Sequence, residues 1–464
     1  MLTSTANEDI RTSFWPRVRE FAVPASMIET ATARRLAGDW AGAGAAAHFD
    51  VDLDLRALAR DHGRELASRV RADLRALAPD LLRWHLPRIA PDGLLRPGLT
   101  LTLARYEAVE GPVHLVARTA PAWADAGQRI SLALWSRSTA DAVRHPHPRP
   151  NRRFRLDLHR HLWDAGRVGE LRERSGAGED RGAGADEPPD PWSVRQPLPA
   201  EPELVVPPDC AVDRWAAEAR ILLAAEGRSG WLFSVRFGGR RRLVLELTGD
   251  DGLIRPVPAP SADTVSVLPV LPDAATWVLP DLRLLRAGAI EAERLHPLVA
   301  AALAPDHEAG GPPRTPDRAG QPRLVECRGA RHRIGLVDGV LVPLDHDPDE
   351  IRREELLVAL TGIPLPCLQA IDEAHRRPHC LEGVRERLVH GDTAGALAVV
   401  EGLLGPEALL RTGPLRDELE AAALRRITYG LFRAGLAEPG PARFRPRPTG
   451  RDSRERRTRP RHAS

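Results

Sequence analysis

Asp157, His159 and His161 are the residues whose types and spacing could most readily do chemistry. In an extended chain successive side chains point to opposite faces. With Leu156 and Leu158 turned inward, all three polar groups would share the other face of one strand. His114 stands likewise between Val113 and Leu115, and a shared sheet would gather His114, Asp157, His159 and His161 on one surface. Imidazoles with a carboxylate suit Zn²⁺ or Fe²⁺ and would support a metal-dependent enzyme. The competing expectation is a solvated sheet face in a chain whose polar residues are largely His and Arg. The second expectation is preferred, and no catalytic or cofactor-binding residue is named beside these four candidate metal ligands. His145 and His147, in the neighbouring Pro-rich loop, would join that face only if the loop folded onto it.

The other clusters read as structure. Cys367 and His375 would lie about two turns apart on one helix, too far to chelate one ion together. Pro378 ends that helix before His379 and Cys380, so the four could meet only by a fold-back of the loop. Asp347 before Pro348, with Asp349 and Glu350 in the first turn, is what a helix start asks for, so the acidic group Asp345–Glu350 is assigned to capping. Gly42-Ala43-Gly44, with Asp50 and Asp52 beyond, loosely matches a dinucleotide-binding loop. It follows a helical pattern where a strand is required, and the acids come too soon. His62 falls on the apolar stripe of a helix and is read as a core histidine. No GxSxG or HExxH occurs.

Composition excludes more than it proposes. The 464 residues carry 66 basic against 64 acidic side chains, for a net charge of +2, and every one of the 66 is arginine. Without lysine there is no phosphate-loop Lys, no kinase ATP-pairing Lys and no Schiff-base Lys for pyridoxal phosphate. Arginine cannot be deprotonated to replace that amine. A chain rich in Ala, Gly and Pro and devoid of Lys points to a GC-rich, actinobacterial genome. Cys210, Cys327, Cys367 and Cys380 are widely spaced, Met1–Thr30 has no secretory pattern, and no run approaches a membrane span. Free thiols, a cytoplasmic location and no membrane partner are expected.

The elements that must position these residues begin with a helical hairpin over Ala25–Ala47, turning near Gly38-Asp39. Leu55, Leu58, Leu66, Val70, Leu74 and Leu77 recur at three- and four-residue steps, predicting one long amphipathic helix that ends before Pro79. A short Pro-bounded helix follows. Alternating strands are predicted at Leu99–Leu103, Val113–Ala117, Ile130–Leu134 and Phe154–Leu158, forming an antiparallel meander. After a helix near Ala211–Ala225, Trp231–Phe237 and Leu243–Leu247 form a hairpin. Only a three-residue turn, Gly238–Arg240, sets Val235 opposite Leu243 and Phe233 opposite Leu245 with their apolar faces matched. Strands near Val265–Val267 and Thr276–Val278, then helical pattern to Leu303, complete that part. Leu324–Leu344 reads as a second meander turning at Asp338-Gly339. Helices are expected at Pro348–Leu360, Pro366–Ala374, Leu381–Leu404 and Leu415–Ala434.

Two local resemblances accompany these patterns. Gly38-Asp39-Trp40-Ala41-Gly42-Ala43 returns as Gly391-Asp392-Thr393-Ala394-Gly395-Ala396, and the phrase resembles the turn of tetratricopeptide-type helical hairpins. Two distant copies do not make an array. The block from His332 through Asp338-Gly339 and Leu344-Asp345-His346 to Pro366-Cys367-Leu368 resembles a strand–hairpin–helix module of uncharacterised actinobacterial proteins, and implies no activity.

The fold class expected is α+β: helical segments packed on antiparallel meander sheets, with a C-terminal helical bundle. The organisation is 1–175, helical hairpin plus long helix and meander; 176–205, disordered acidic linker; 206–304, an α+β hairpin domain; 305–322, a loose linker; 323–438, a meander followed by the bundle; and 439–464, a disordered tail. Nine arginines between Arg443 and Arg461 face only Asp452 and Glu455, so the tail would bind polyanions weakly and without sequence preference. The function expected is that of a non-catalytic interaction or scaffold protein, an accessory subunit of a cytoplasmic assembly with a protein partner. The alternatives are the metal-dependent enzyme and arginine-mediated nucleic-acid binding.

Overall fold

A computed structural model describes residues 15–124, 128–137, 145–178, 206–228, 230–237, 241–248, 253–258, 261–305, 323–327, 330–337, 340–343, 345–347, 349–353, 356, 379–404 and 413–436. The architecture is α+β. Helices α1 (15–21), α2 (Ala25–Leu36) and α3 (Trp40–Ala46) lead into a short strand β1 (Phe49–Asp52). Then come α4 (Leu55–His62), α5 (Arg64–Ala76), α6 (Pro79–His85) and a two-stranded ribbon, β2 (Arg88–Ile89) and β3 (Leu94–Leu95). The main sheet adds β4 (Thr100–Tyr106), β5 (Val113–Thr119) and β6 (Ile130–Trp135) in the order β1-β6-β5-β4.

The three predicted strands form the antiparallel meander, and Leu101, Ala117 and Leu132 meet across it. The register shifts between Thr102 and Ala104, accommodating one extra residue in β4. The unpredicted β1 pairs parallel with β6, aligning Asp50 with Ser131 and Asp52 with Ala133. Four residues with alternating acids carry too little apolar pattern to announce a strand.

Several expectations are corrected by local chemistry. The long helix over 55–77 is two helices, because Gly63 takes φ +90°, a conformation open to glycine that a continuous helix cannot contain. Phe154–Leu158 is no strand. Residues 156–158 and 160–162 are 3₁₀ turns, with only a bridge from Arg155 to Thr102 tying them to the sheet. Buried Trp163 donates from Nε1 to the Leu156 carbonyl at 2.9 Å, and Leu162 and Trp163 join the core. The chain therefore coils round an aromatic anchor and does not extend. Val265–Val267 lies in a helix, Ala262–Val267, opened by a cap from Ser261 to the Thr264 amide. Thr276 ends a helical turn, Asp273–Thr276, leaving only a bridge from Trp277 to Cys210.

The middle of the chain supplies α7 (Leu171–Arg174), α8 (Val212–Ala225), β7 (Leu232–Phe237), β8 (Arg241–Thr248) and β9 (Leu253–Pro256). Phe233 lies opposite Leu245 and Val235 opposite Leu243, the register derived from a three-residue connection; residues 238–240 themselves lie outside the described set. The helices just corrected are α9 (Ala262–Val267) and α10 (Asp273–Thr276), followed by α11 (Pro280–Arg286) and α12 (Pro297–Leu303). A second meander has β10 (Arg323–Cys327), β11 (Ala330–Val337) and β12 (Val340–Pro343) in order, with Val337 opposite Val340. The predicted Asp338-Gly339 turn falls outside the described residues. After α13 (349–353), the expected helix at Pro366–Ala374 is likewise outside them. The single helix expected over Leu381–Leu404 is two, α14 (His379–His390) and α15 (Thr393–Leu404), because Gly391 takes φ +90° between them; α16 (Pro414–Arg433) follows.

The cores group these elements differently from their order in sequence. Leu284, Ile290, Leu295, Val299 and Leu303 pack with residues between Val18 and Leu171 in one core, so α11 and α12 belong to the first unit. A second core joins α8 to the β7–β8 face through Trp215, Leu222, Phe233, Val235 and Leu245. A third, smaller one holds α14 to α15 through Val384, Leu388, Ala396 and Val400, with Leu415 and Leu419 of α16 against it. Of the linkers, 179–205 and 306–322 lie outside the described residues, as does the tail from 437. No described helix is long and apolar enough to cross a membrane.

Candidate functional site

The strand expected to align Asp157, His159 and His161 beside His114 is not formed, and the first three lie in or between 3₁₀ turns. His114 on β5 packs edge-on to Trp135, ring centroids 5.3 Å apart, and burial presses its pKa down to about 4 against the pull of Asp157. Asp157 is engaged by Arg155, whose Nε lies at 3.0 Å and Nη2 at 2.7 Å. His159 and His161 are buried in the 3₁₀ turns, their rings edge-to-face at 5.6 Å. Burial, then the Arg174 guanidinium, lowers the His159 pKa to about 3. Burial and the neighbouring His159 hold His161 well below the usual imidazole range. Arg174 itself donates to both oxygens of Glu218 at 2.6 Å. Among the described residues no group of three His, Cys, Asp or Glu side chains is placed to hold a metal ion.

His145 holds the loop to the sheet. Its Nδ1 accepts from the His147 amide at 3.2 Å, which leaves the proton on Nε2 to donate to the Thr119 carbonyl at 3.0 Å. Cys210 is half-buried and in no disulfide; Cys367 and His375 lie outside the described residues. Asp347 accepts from the Asp349 amide at 3.0 Å, the capping contact expected of it, and Asp345 takes the Arg333 guanidinium. His62 is half-buried in the last turn of α4.

Two polar clusters that sequence periodicity could not show lie inside the first core. Asp281 of α11 accepts from Arg19 at 2.8 and 2.9 Å and from Trp84 Nε1 at 3.0 Å. His296 Nδ1 accepts from the Leu298 amide, so its Nε2 carries the proton toward Asp80 at 2.9 Å. An Asp–His pair could do acid–base chemistry, but Asp80 and His296 are each 1% exposed and no substrate reaches them. Their work is to clamp α11 and α12 onto α6.

The open site is a cleft of about 660 Å³ between the β1–β6–β5 face and α16. The floor is a cross-strand row: Arg118 on β5 opposite Ser131 on β6, and Ser131 opposite Asp50 on β1. Asp50 receives Arg129 through two hydrogen bonds at 2.8 and 2.9 Å, the Tyr429 hydroxyl at 2.6 Å and Arg433 Nη1 at 2.9 Å. Burial opposes its ionisation, but the hydrogen bonds from Arg129 and Tyr429 prevail and hold its pKa below the ordinary carboxylate value. Arg433 also reaches Asp52. Phe432 packs edge-on to Trp123 at 5.3 Å and Arg426 completes the rim. Among the described residues four guanidiniums thus line the cleft against two carboxylates. The local signal was Asp50 and Asp52, two residues apart in an extended stretch; Arg129 meets Asp50 from 79 positions away, Tyr429 and Arg433 come from some 380, and no local pattern announces them. The chain matches no family model, and no curated protein or solved structure compared with it is similar.

Proposed function

We propose that the protein is a non-catalytic interaction protein, an accessory or scaffold subunit of a cytoplasmic assembly, and that α16 is its docking element. The observation that carries this reading is the outer face of that helix. Leu424, Ile427 and Leu431 are 60%, 60% and 41% exposed, and at about 100° per residue they fall within about 60° of one another. Leu415, Leu419, Ala422, Tyr429 and Arg433 lie on the opposite side, against the third core and the sheet. The helix is therefore anchored by one face while a stripe spaced i, i+3, i+7 remains open, the pattern by which an apolar partner helix is engaged. The occupant this stripe suits is an amphipathic helix of a partner protein.

Native purification from the source cell, comparing wild type with Leu424→Asp/Ile427→Asp, tests the reading. A protein retained in fixed stoichiometry by wild type should be lost from the variant, with thermal unfolding of the variant unchanged. A stoichiometric partner held equally by both, or none held by wild type, would overturn it.

A further inference from the structure

Among the described residues four arginines are more than nine-tenths buried, and one of them has donors with no acceptor. Arg19 is paired with Asp281, Arg83 donates to three carbonyls, and Arg153 is paired with Asp273 at 2.8 Å. Arg118, 6% exposed, lines the cleft with its Nε and Nη2 shielded from solvent and without any hydrogen-bond partner. A guanidinium cannot shed its proton to escape burial, so unmet donors there carry a desolvation penalty that only an incoming acceptor offsets. Asp50 is saturated by Arg129, Tyr429 and Arg433, and Asp52, whose charge Arg118 feels, is engaged by Arg433 and accepts no hydrogen bond from Arg118 among the described residues. Arg426, exposed at the rim, makes no ion pair or hydrogen bond among the described residues.

We propose that this cleft binds a small organic phosphate monoester. The phosphate pairs with the Arg118 guanidinium where it lines the cleft, with Ser131 beside it and Arg426 as the second cation. Two positive charges in excess of the carboxylates match a dianion, where a monocarboxylate would leave one unanswered. The volume exceeds what a bare phosphate needs and falls in the range of about 300–1,000 Å³ usual for small-molecule pockets. Tyr429 and Phe432 give the organic part an apolar wall. A polynucleotide would need a track of cations along a backbone, and here only Arg118 and Arg426 are unengaged among the described lining residues.

Thermal unfolding and calorimetry of the full chain decide the matter, with inorganic phosphate and adenosine monophosphate as probes and with adenosine and sodium chloride of equal ionic strength as controls. Both phosphates should raise the melting temperature and the controls should not. Arg118→Met should abolish that shift while raising the melting temperature of the unliganded protein, since an unanswered buried cation has gone. Arg426→Ala should leave the unliganded protein unchanged and weaken phosphate binding roughly tenfold. A wild-type response no larger than that to chloride, or equal responses to adenosine and its monophosphate, would overturn the proposal. So would a phosphate shift that survives Arg118→Met, or, should that variant not fold, one that Arg426→Ala leaves untouched. Binding of a DNA oligonucleotide that depends on Arg118 would overturn the small-molecule reading in the same way.

Discussion

The hairpin of α2 and α3 and the hairpin of α14 and α15 are built on the same turn and put to different uses. In each, a glycine at positive φ, Gly38 at +78° and Gly391 at +90°, ends the first helix. In each, an aspartate amide reaches back to the carbonyl five residues earlier, Asp39 to Arg34 at 2.9 Å and Asp392 to Arg387 at 2.7 Å. The aspartate side chain then accepts from the amide three residues on, Gly42 at 2.8 Å and Gly395 at 2.9 Å, and from the guanidinium five residues back. The first turn stands in solvent and its Arg34–Asp39 contact is long, at 3.3 Å. The second is buried, and there Arg387 approaches Asp392 to 2.8 Å. What buries it is the first unit, where Arg83 of α6 donates to the His390 carbonyl at 2.9 Å. Identical local chemistry therefore fixes the bend, while the surroundings fix what the bend is worth.

The comparison can be broken most severely at Arg83. Arg83→Met strands the Ala22, Gln128 and His390 carbonyls in the interior, and should cost roughly 3 kcal/mol or more in denaturant unfolding. A loss under about 1 kcal/mol would mean the second turn is not clamped there. Next comes the pair of cap deletions. Asp392→Ala should cost about 2 kcal/mol and Asp39→Ala about 1 kcal/mol or less, because only the first of these unsettles a buried contact. Equal losses would show that burial of the turn is irrelevant.

A smaller effect sharpens the likeness. A Cβ on Gly42 would stand 2.0 Å from Asp39 Oδ2, and one on Gly395 2.1 Å from Asp392 Oδ2. Each Gly→Ala change must therefore displace the cap, at about 1 kcal/mol, whereas in the matching Asp→Ala background the same change should stabilise the helix by ~0.5 kcal/mol. Double-mutant cycles at the two turns should show the same reversal of sign.

The least effect separates them again. The residue before the second glycine is His390, held to about pKa 3 by burial and then by Arg88, Arg83 and Arg17; its counterpart in the first turn is Ala37. An unfolded chain takes up a proton near pH 6.5 that the folded one refuses until about pH 3. The stability His390 allows is thus full above 6.5 and falls as pH is lowered through that window. Protection of the α15 amides, taken relative to the unfolded chain at the same pH, should fall from pH 7 to pH 5 more than in α3, and His390→Gln should remove the difference.

Much of this architecture is legible in the residues, for reasons of period. Leu243, Leu245 and Leu247 facing Phe233 and Val235 permit one register, and the turn phrase at Gly38 announces the first hairpin, whereas its copy at Gly391 falls inside a stretch whose apolar pattern reads as one helix. Period fails where another constraint governs. Gly63 breaks a stripe whose spacing runs on undisturbed, and Trp163 coils a segment whose Phe154, Leu156 and Leu158 alternate as a strand would. The cleft is illegible because its parts are far apart: a strand with two acids, an arginine in mid-sheet, and a helix near the end of the chain. Lone arginines in a chain where every basic residue is arginine carry no distinguishing mark.

The inclusion of α11 and α12 in the first core sets a timetable for synthesis. Leu284, Val299 and Leu303 cover apolar surface formed by residues between Val18 and Leu171. That surface leaves the ribosome more than a hundred residues before its cover does. At about 5–20 residues per second the wait is on the order of ten seconds or more. During that interval Arg19 and Trp84 have no Asp281 to meet, and Asp80 has no His296. The nascent chain is thus committed to a stretch of exposure in which the middle segment must emerge before the beginning can close.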